Sequence, residues 1–254
     1  MSSLQESAHF FLNETVLSIA DVEHRLLEVE LYHHSEEHPD PFVHRHAEQQ
    51  ENGTFYFHKS GTSYRGGTFK GMDITLSEDG EAYTSFLVRS FQNLETGEIV
   101  TGPCCCVNRI LELTGFEGIQ ELVTEGLAGN RSVREHEPLK LVSKELKPLP
   151  IYSSPRIGLY LTKTEAGQPE FFNRPYRFVA GYEPKLKGSI HTLIGLIRMG
   201  LDSETILKIV GSKKEKLLNQ YFGWLEEKIE LQEYFGRREF KNEELARLLL
   251  LANP

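Results

Sequence analysis

Glu28-Val29-Glu30-Leu31-Tyr32 has the residue types and spacing most suited to chemistry in this chain. Successive side chains of a strand point to opposite faces, so Glu28, Glu30 and Tyr32 share one face, two carboxylates beside an aromatic ring. A carboxylate in that setting can be tuned to the pKa of a general base. The same alternation also describes a solvent-facing acidic edge. A second concentration of reactive types, His33, His34, His38, His44 and His46, mingles with Glu36, Glu37 and Asp40. Imidazole and carboxylate are ligands of zinc and non-haem metals, but the spacing is unspecific and equally suits a His-rich surface loop. Cys104, Cys105 and Cys106 are consecutive, so they point apart and read as small packing residues rather than a disulfide framework or metal site. The glycine run Gly61 to Gly67 lacks the Lys-Ser/Thr ending of a phosphate loop. Dinucleotide, zinc-protease and serine-hydrolase motifs are likewise missing.

These residues need elements to position them. Ser7 to Leu12 reads as a short helix, and Glu23 to Tyr32 as a buried strand with Leu26, Leu27, Val29 and Leu31. Charges, Pro39 and Pro41 mark His33 to Gln50 as a surface loop. Thr54 to Phe57, Met72 to Leu76 and Ala82 to Phe91 read as strands of an antiparallel sheet, the first two flanking the glycine-rich turn. Helices are predicted at Cys106 to Leu113 and Gly118 to Gly126, and further strands at Arg156 to Leu161 and Arg177 to Gly181, with a turn over Lys163 to Pro169. In the tail, Ser189 would cap Ile190 to Met199, Ser203 would cap Glu204 to Val210, and Asn242 would cap Glu243 to Leu251. Lys213 to Tyr234 reads as one long amphipathic segment. The expected class is α+β, a single mixed domain over residues 1–184 with a largely antiparallel sheet core and surrounding helices, plus a helical C-terminal extension over 185–254.

The chain has 254 residues, 39% hydrophobic and 26% charged, which suffices for one large core or two small ones. No stretch approaches the roughly 18 consecutive apolar residues of a membrane span. The first residues lack the basic start and apolar run of a signal peptide, so an intracellular site, nucleus or cytoplasm, is expected. Residues 1–184 hold 16 Lys/Arg and 27 Asp/Glu, a net of -11, whereas 185–254 hold 12 and 10, a net of +2. Any polyanion site in the larger part must therefore be a local basic patch on an acidic body. The Leu248 to Leu251 run must pack on the main domain or on a second copy, so self-association through the C-terminal helices is a further expectation.

An ordered series of short motifs runs through residues 7–183: Ala8-x-x-Phe11-Leu12, Arg25-x-x-Glu28-Val29-Glu30-Leu31-Tyr32, Asp40-x-x-x-His44, Ser60-Gly61-Thr62-Ser63-Tyr64, Leu87-Val88-Arg89-Ser90, Gly102-Pro103, Pro155-Arg156-Ile157-Gly158 and Pro175-Tyr176-Arg177-Phe178. In order and spacing this series resembles the alkyladenine (3-methyladenine) DNA glycosylase family, whose pattern includes R-x-V-E-T-E-A-Y, P-G-T-x-Y, L-L-R-A and P-x-R-F. The resemblance implies a mixed α/β domain that flips a damaged purine out of double-stranded DNA and hydrolyses its N-glycosidic bond without cofactor or metal. It implies Glu30 as general base for the attacking water, Tyr32 as the ring stacked on the base, His44 as a pocket wall and Arg89 as a group near the substrate. A purine made electron-poor by alkylation stacks well on tyrosine.

The chain also departs from that pattern. The stretch that supplies a second stacking ring and a duplex wedge is here Arg65-Gly66-Gly67-Thr68-Phe69-Lys70-Gly71. Phe69 is the candidate wedge, Tyr64 or Phe69 the second ring, and Arg65 and Lys70 are the candidate phosphate contacts. The family's pocket Asn corresponds to Asp73, which only accepts hydrogen bonds and would alter base selectivity. Each residue also has a plain packing role open to it, Arg89 as the partner of a buried Asp or Glu among them. Two other functions stay open: a nucleic-acid or nucleotide-binding module without catalysis, and a metal-dependent hydrolase built on His33 to His46.

Overall fold

Two long strands, β2 (Val22–His34) and β7 (Tyr83–Asn93), pair antiparallel and carry the residues of interest. Their near-continuous burial follows from apolar residues on one face and enclosed polar groups on the other. The computed structural model describes residues 2–78, 80–134, 137–161, 168–224, 231–237 and 239–250. The class is α+β, with a largely antiparallel sheet and surrounding helices. The chain divides into two compact units. One comprises residues 1–38, 43–151 and 179–181, the other residues 39–42, 152–178 and 182–254. The composition boundary at 184/185 thus falls within the second unit.

In chain order, the first unit begins with α1 (Ser2–Asn13) and the hairpin of β1 (Thr15–Ile19) with β2. Ala20 and Asp21 have φ of 48° and 64°, the left-handed pair that a two-residue primed turn requires. After β2 come β3 (Asn52–Phe57), the small hairpin of β4 (Lys59–Ser60) with β5 (Ser63–Tyr64), and β6 (Met72–Leu76). Next follow β7, β8 (Ile99–Thr101), α2 (Pro103–Thr114), the short α3 (Ile119–Glu121) running into a π turn over Leu122–Gly126, and β9 (Leu139–Ser143). The strands lie in the order β9-β1-β2-β7-β6-β3, with β8 on the edge of β7. Phe11 of α1 meets Phe86 of β7 edge-on at 5.5 Å, joining the helix to the apolar face. The opposite face holds the polar residues, and a 3-10 turn over Ala47–Gln50 packs against β6 and β7 there.

β10 (Ile151–Ser154), α4 (Gln168–Phe172) and β11 (Arg177–Ala180) come next in the chain. The second unit is mainly helical, with α5 (Ser189–Arg198), α6 (Ser203–Val210), α7 (Glu215–Trp224) and α8 (Asn242–Leu250) around a core of Leu193, Leu196, Ile206, Leu218, Tyr221 and Leu249. Leu248, Leu249 and Leu250 are buried in that core, while Leu251 lies outside the described residues. A Cβ at Gly195 would come within 2.3 Å of the Ser153 carbonyl, so glycine lets α5 sit directly on the neighbouring backbone.

Several sequence expectations are corrected. Arg156 to Leu161 is not a strand, and the strand ends at Ser154. Pro155 interrupts the ladder, and Arg156 turns inward to pair with Asp40 at 2.7 Å, with both side chains fully enclosed. Asp202, not Ser203, caps α6 by accepting from the Thr205 amide, and Gly188 in place of Ser189 precedes α5. Of the Lys213 to Tyr234 segment, a 3-10 turn over Ser212–Lys214 that runs into α7, and a second 3-10 turn over Leu231–Tyr234, are described; residues 225–230 lie outside the described residues, and so does most of the Lys163 to Pro169 turn. Of the three cysteines only Cys106 is a buried packing residue. Cys105 is exposed because it lies on the outer side of α2. Among the described residues, no helix is long and apolar enough to cross a membrane.

Candidate functional site

Strand alternation brings Glu28, Glu30 and Tyr32 to the polar face of β2, and the Tyr32 hydroxyl donates to Glu30 Oε2 at 3.2 Å. Arg89 of β7 bridges both carboxylates, donating from Nε to Glu28 Oε1 and from Nη1 to Glu30 Oε2, each at 3.1 Å. Ser90 Oγ donates to the other Glu28 oxygen at 2.7 Å. Two consecutive residues of a regular strand would face opposite ways. Here the β2–β7 register shifts on either side of Glu28, and the irregularity turns both Arg89 and Ser90 toward the same carboxylate. Glu30 is 0% exposed and Arg89 7%. Burial alone would lower the Arg89 pKa, but Glu30 and Glu28 raise it well above its ordinary value, so the cation is permanent.

One strand further on, the chemistry changes. Ser85 pairs across the sheet with Tyr32 on one side and Thr75 on the other, and its hydroxyl donates to Asp73 Oδ2 at 2.7 Å. Gln49, from the 3-10 turn, donates to Ser85 Oγ at 3.1 Å and to Asp73 Oδ2 at 3.4 Å. Asp73 Oδ1 lies 2.7 Å from His58 Nε2. Burial would raise the Asp73 pKa, yet His58 and the Ser85 bond bring it below its ordinary value, leaving a buried carboxylate. A carboxylate only accepts, so Nε2 of His58 carries the proton in this contact.

Local backbone explains how His58 reaches Asp73. Tyr56 lies opposite Asp73, and two residues on, the His58 amide donates to the Gly71 carbonyl at 2.9 Å. A Cβ at Gly71 would fall 2.5 Å from His58 Cε1, so the absent side chain opens the lane along which the imidazole leans. His44 meets His58 edge-on at 4.5 Å, and His46 stacks on Tyr56 at 5.3 Å. His44 keeps an exposed outer edge, but desolvation of its inner face and the neighbouring His58 push it down to about 4. Burial pushes the Tyr56 phenol up to about 12, so it stays protonated.

The remaining sequence candidates lie on a separate projection. Phe69 ends the 3-10 turn Gly67–Phe69 and is 73% exposed, the most exposed large hydrophobic residue among the described residues. Arg65 and Lys70 flank that turn, partly exposed. With Tyr64, Leu111, Glu117 and Ile119 they line a cleft of about 440 Å³. Tyr64 is not gathered with Glu30 and Tyr32. Its ring packs edge-on against Phe57, and the Lys59 ammonium sits 4.6 Å from its centroid. Cys104 Sγ donates to the Gly67 carbonyl at 3.1 Å and supports the base of the turn.

The structure therefore unites Glu30, Tyr32 and Arg89 in one cluster and Asp73 and His44 in its neighbour, with Arg65, Phe69 and Lys70 together on the projection. Sequence reading missed His58, Ser85 and Gln49. Gly71 is the one local signal for His58, since an isolated glycine beside a strand marks close approach. The loop histidines separate into two groups: His33 bonds Thr84 and packs against His38 at 5.0 Å, with His34 by Tyr83, while His44 and His46 flank the Tyr56–His58 edge. Among the described residues, no group of three or more His, Cys, Asp or Glu side chains is placed to hold a metal ion.

No protein-family profile matches the chain. A curated protein from Acanthamoeba polyphaga mimivirus, "Uncharacterized protein L759", is 40% identical over 168 residues, which span 61% of this chain and 75% of the viral protein.

Proposed function

The chain belongs to one family with the uncharacterized mimivirus protein L759, and from the chemistry of its own sheet face we propose that it hydrolyses the N-glycosidic bond of damaged purine nucleotides in DNA. The observation that carries this reading is the buried Glu30 carboxylate bonded by both Arg89 and Tyr32. In the proposed reaction Glu30 takes a proton from the water that attacks the sugar C1′. Two carboxylates facing one guanidinium leave a negative environment, which favours an oxocarbenium-like sugar. Tyr32, partly exposed, supplies a face for the base, and the exposed His44 is assigned as a second wall. The exposed Phe69 suits a wedge that fills a vacated duplex position, with Arg65 and Lys70 on the phosphates.

The test is base release from a duplex oligonucleotide carrying one hypoxanthine, read as alkali-labile strand breaks. The unmutated protein is expected to release the base, and Glu30→Gln to lose release by about 10²-fold or more while still binding the lesion duplex. Unchanged release by Glu30→Gln removes that residue from the mechanism. A second reading, lesion binding without catalysis, is favoured by the complete burial of Glu30, since a base must meet its water. Its signature is an unmutated protein that binds the lesion duplex and releases nothing from it.

A further inference from the structure

A pocket of about 710 Å³ lies between α1 and the sheet, entirely within the first unit. Ile74 lines it, and strand alternation turns the neighbouring Asp73 to the other face, so the pocket is on the side of the sheet away from Glu30. Its origin is local. Residues 131–133 join β3 to β9: the Phe55 amide donates to the Arg131 carbonyl at 2.8 Å, Val133 to Gly53 at 2.9 Å and Leu141 to Val133 at 2.6 Å. Backbone hydrogen bonds therefore run from β9 through β1, β2, β7, β6 and β3 back to β9, a closed ring of strands. Ala8, Phe11 and Leu12 of α1 are buried against its apolar face. Around the pocket, however, stand small side chains, Ser3 and Ser7 on the helix with Gly53, Ser132 and Ser143 opposite, and they leave the space unfilled. Gly53 has φ of 68° where the β3–β6 register slips, and a Cβ there would meet nothing within 4 Å. Backbone conformation rather than crowding requires that glycine.

We propose that this pocket binds a short apolar peptide, two or three residues long, by its two charged ends. Phe10, Phe11, Ile74, Leu76, Val133 and Leu141 supply the apolar lining, and Phe10 is left exposed on the helix. Apolar walls with a few polar groups are the usual make-up of a small-ligand site, and such sites occupy about 300–1,000 Å³. The polar groups specify the ligand. Glu6 and Arg134 both line the pocket, and neither makes an ion pair among the described residues. Arg131, Lys140 and Lys144, the nearest cations along the chain, each pair with a glutamate. Acidic partners are plentiful in a part of the chain with 27 Asp/Glu against 16 Lys/Arg, yet Arg134 is left over. A carboxylate and a guanidinium at one pocket but not on each other match a ligand with an ammonium at one end and a carboxylate at the other. The sizes agree, since the pocket is roughly 9 Å across and an extended peptide of two or three residues spans about 7–11 Å. A fatty acid would leave Glu6 unanswered, and a wholly polar zwitterion would leave the apolar walls uncovered.

The test is ligand-observed NMR titration of the full chain with the dipeptide Leu-Phe, its N-acetyl form, its C-terminal amide, the doubly blocked form and decanoate. Leu-Phe is expected to bind with a Kd between about 10 µM and 1 mM, and each single block to weaken it by about tenfold. Glu6→Gln should weaken Leu-Phe by about tenfold and leave the N-acetyl form unmoved, whereas Arg134→Gln should weaken Leu-Phe and leave the amide unmoved. Both positions are exposed, so both variants keep the unmutated Tm. Ser7→Trp fills the space from the helix side and should abolish binding of every probe. No binding of Leu-Phe up to about 10 mM overturns the proposal. So does a doubly blocked form that binds as tightly as Leu-Phe, decanoate binding more tightly than Leu-Phe, or an affinity for Leu-Phe that survives Ser7→Trp. None of these outcomes bears on base release, because the site and Glu30 occupy opposite faces of the sheet.

Discussion

Two halves of one sheet face hold a buried carboxylate against a nitrogen donor, and they differ in which side chain supplies it. On β2 and β7 the partner of Glu28 and Glu30 is the Arg89 guanidinium, which does not titrate in a protein. On β6 the partner of Asp73 is the imidazole of His58, the residue after β3, which donates from Nε2 while Ser85 and Gln49 hold the other carboxylate oxygen. The first half is therefore a fixed ion-pair floor and the second a set of hydrogen-bond donors around one carboxylate. Ser85 joins them, opposite Tyr32 on one strand and bonded to Asp73 on the next. Similar burial does not imply similar electrostatics, because two carboxylates share one permanent guanidinium and the third is held by hydrogen bonds from three side chains.

The sharpest way to break this comparison is to remove the permanent cation. Arg89→Met leaves two enclosed carboxylates without it and is expected to cost about 3–5 kcal/mol in urea denaturation. A loss under 1 kcal/mol, roughly that of a surface pair, would show that the floor is hydrated instead. A smaller effect is expected from Gly71→Ala, which forces its methyl group against His58 at a cost of about 1–3 kcal/mol. The cost should largely disappear when the same change is made in His58→Ala, and a double-mutant cycle with no coupling would refute the lane described above. The smallest effect concerns acid stability. The His44 pKa is depressed to about 4 in the folded chain against an ordinary 6.5, so the unfolded state takes up the proton first. That contribution is complete above about pH 6.5 and is lost as pH falls toward 4. His44→Gln should flatten the part of the stability curve between those values, and an unchanged slope would assign it to other groups.

Much of the carboxylate half was legible in the sequence because it depends on the two-residue period of one strand. Glu28, Glu30 and Tyr32 share a face for that reason alone, and Arg89 as the partner of a buried acid needs only a neighbouring strand. The imidazole half was not legible. His58 reaches Asp73 through the β3–β6 register, and Gln49 arrives from a turn that no apolar period announces. The same limit hid β1 and β9, whose pairing is set by distant chain, and it made Arg156 to Leu161 look like a strand when Arg156 is drawn to Asp40. Phe69 was recognisable as a candidate wedge, but its 73% exposure could not be read from type, since phenylalanine is ordinarily enclosed.

The partnership of β1 with β9 also sets a timetable for synthesis. Thr15 pairs with Ser143 and Ile19 with Leu139, so β1 is completed by a strand made roughly 120 residues later. At roughly 5–20 residues per second that is a wait of about 6–25 s. Throughout it, the outer edge of β1 presents unpaired amides and carbonyls to other nascent chains. For this chain, slow translation lengthens the exposure of an unpaired edge, and a chaperone that shields the first hairpin would matter most before β9 emerges.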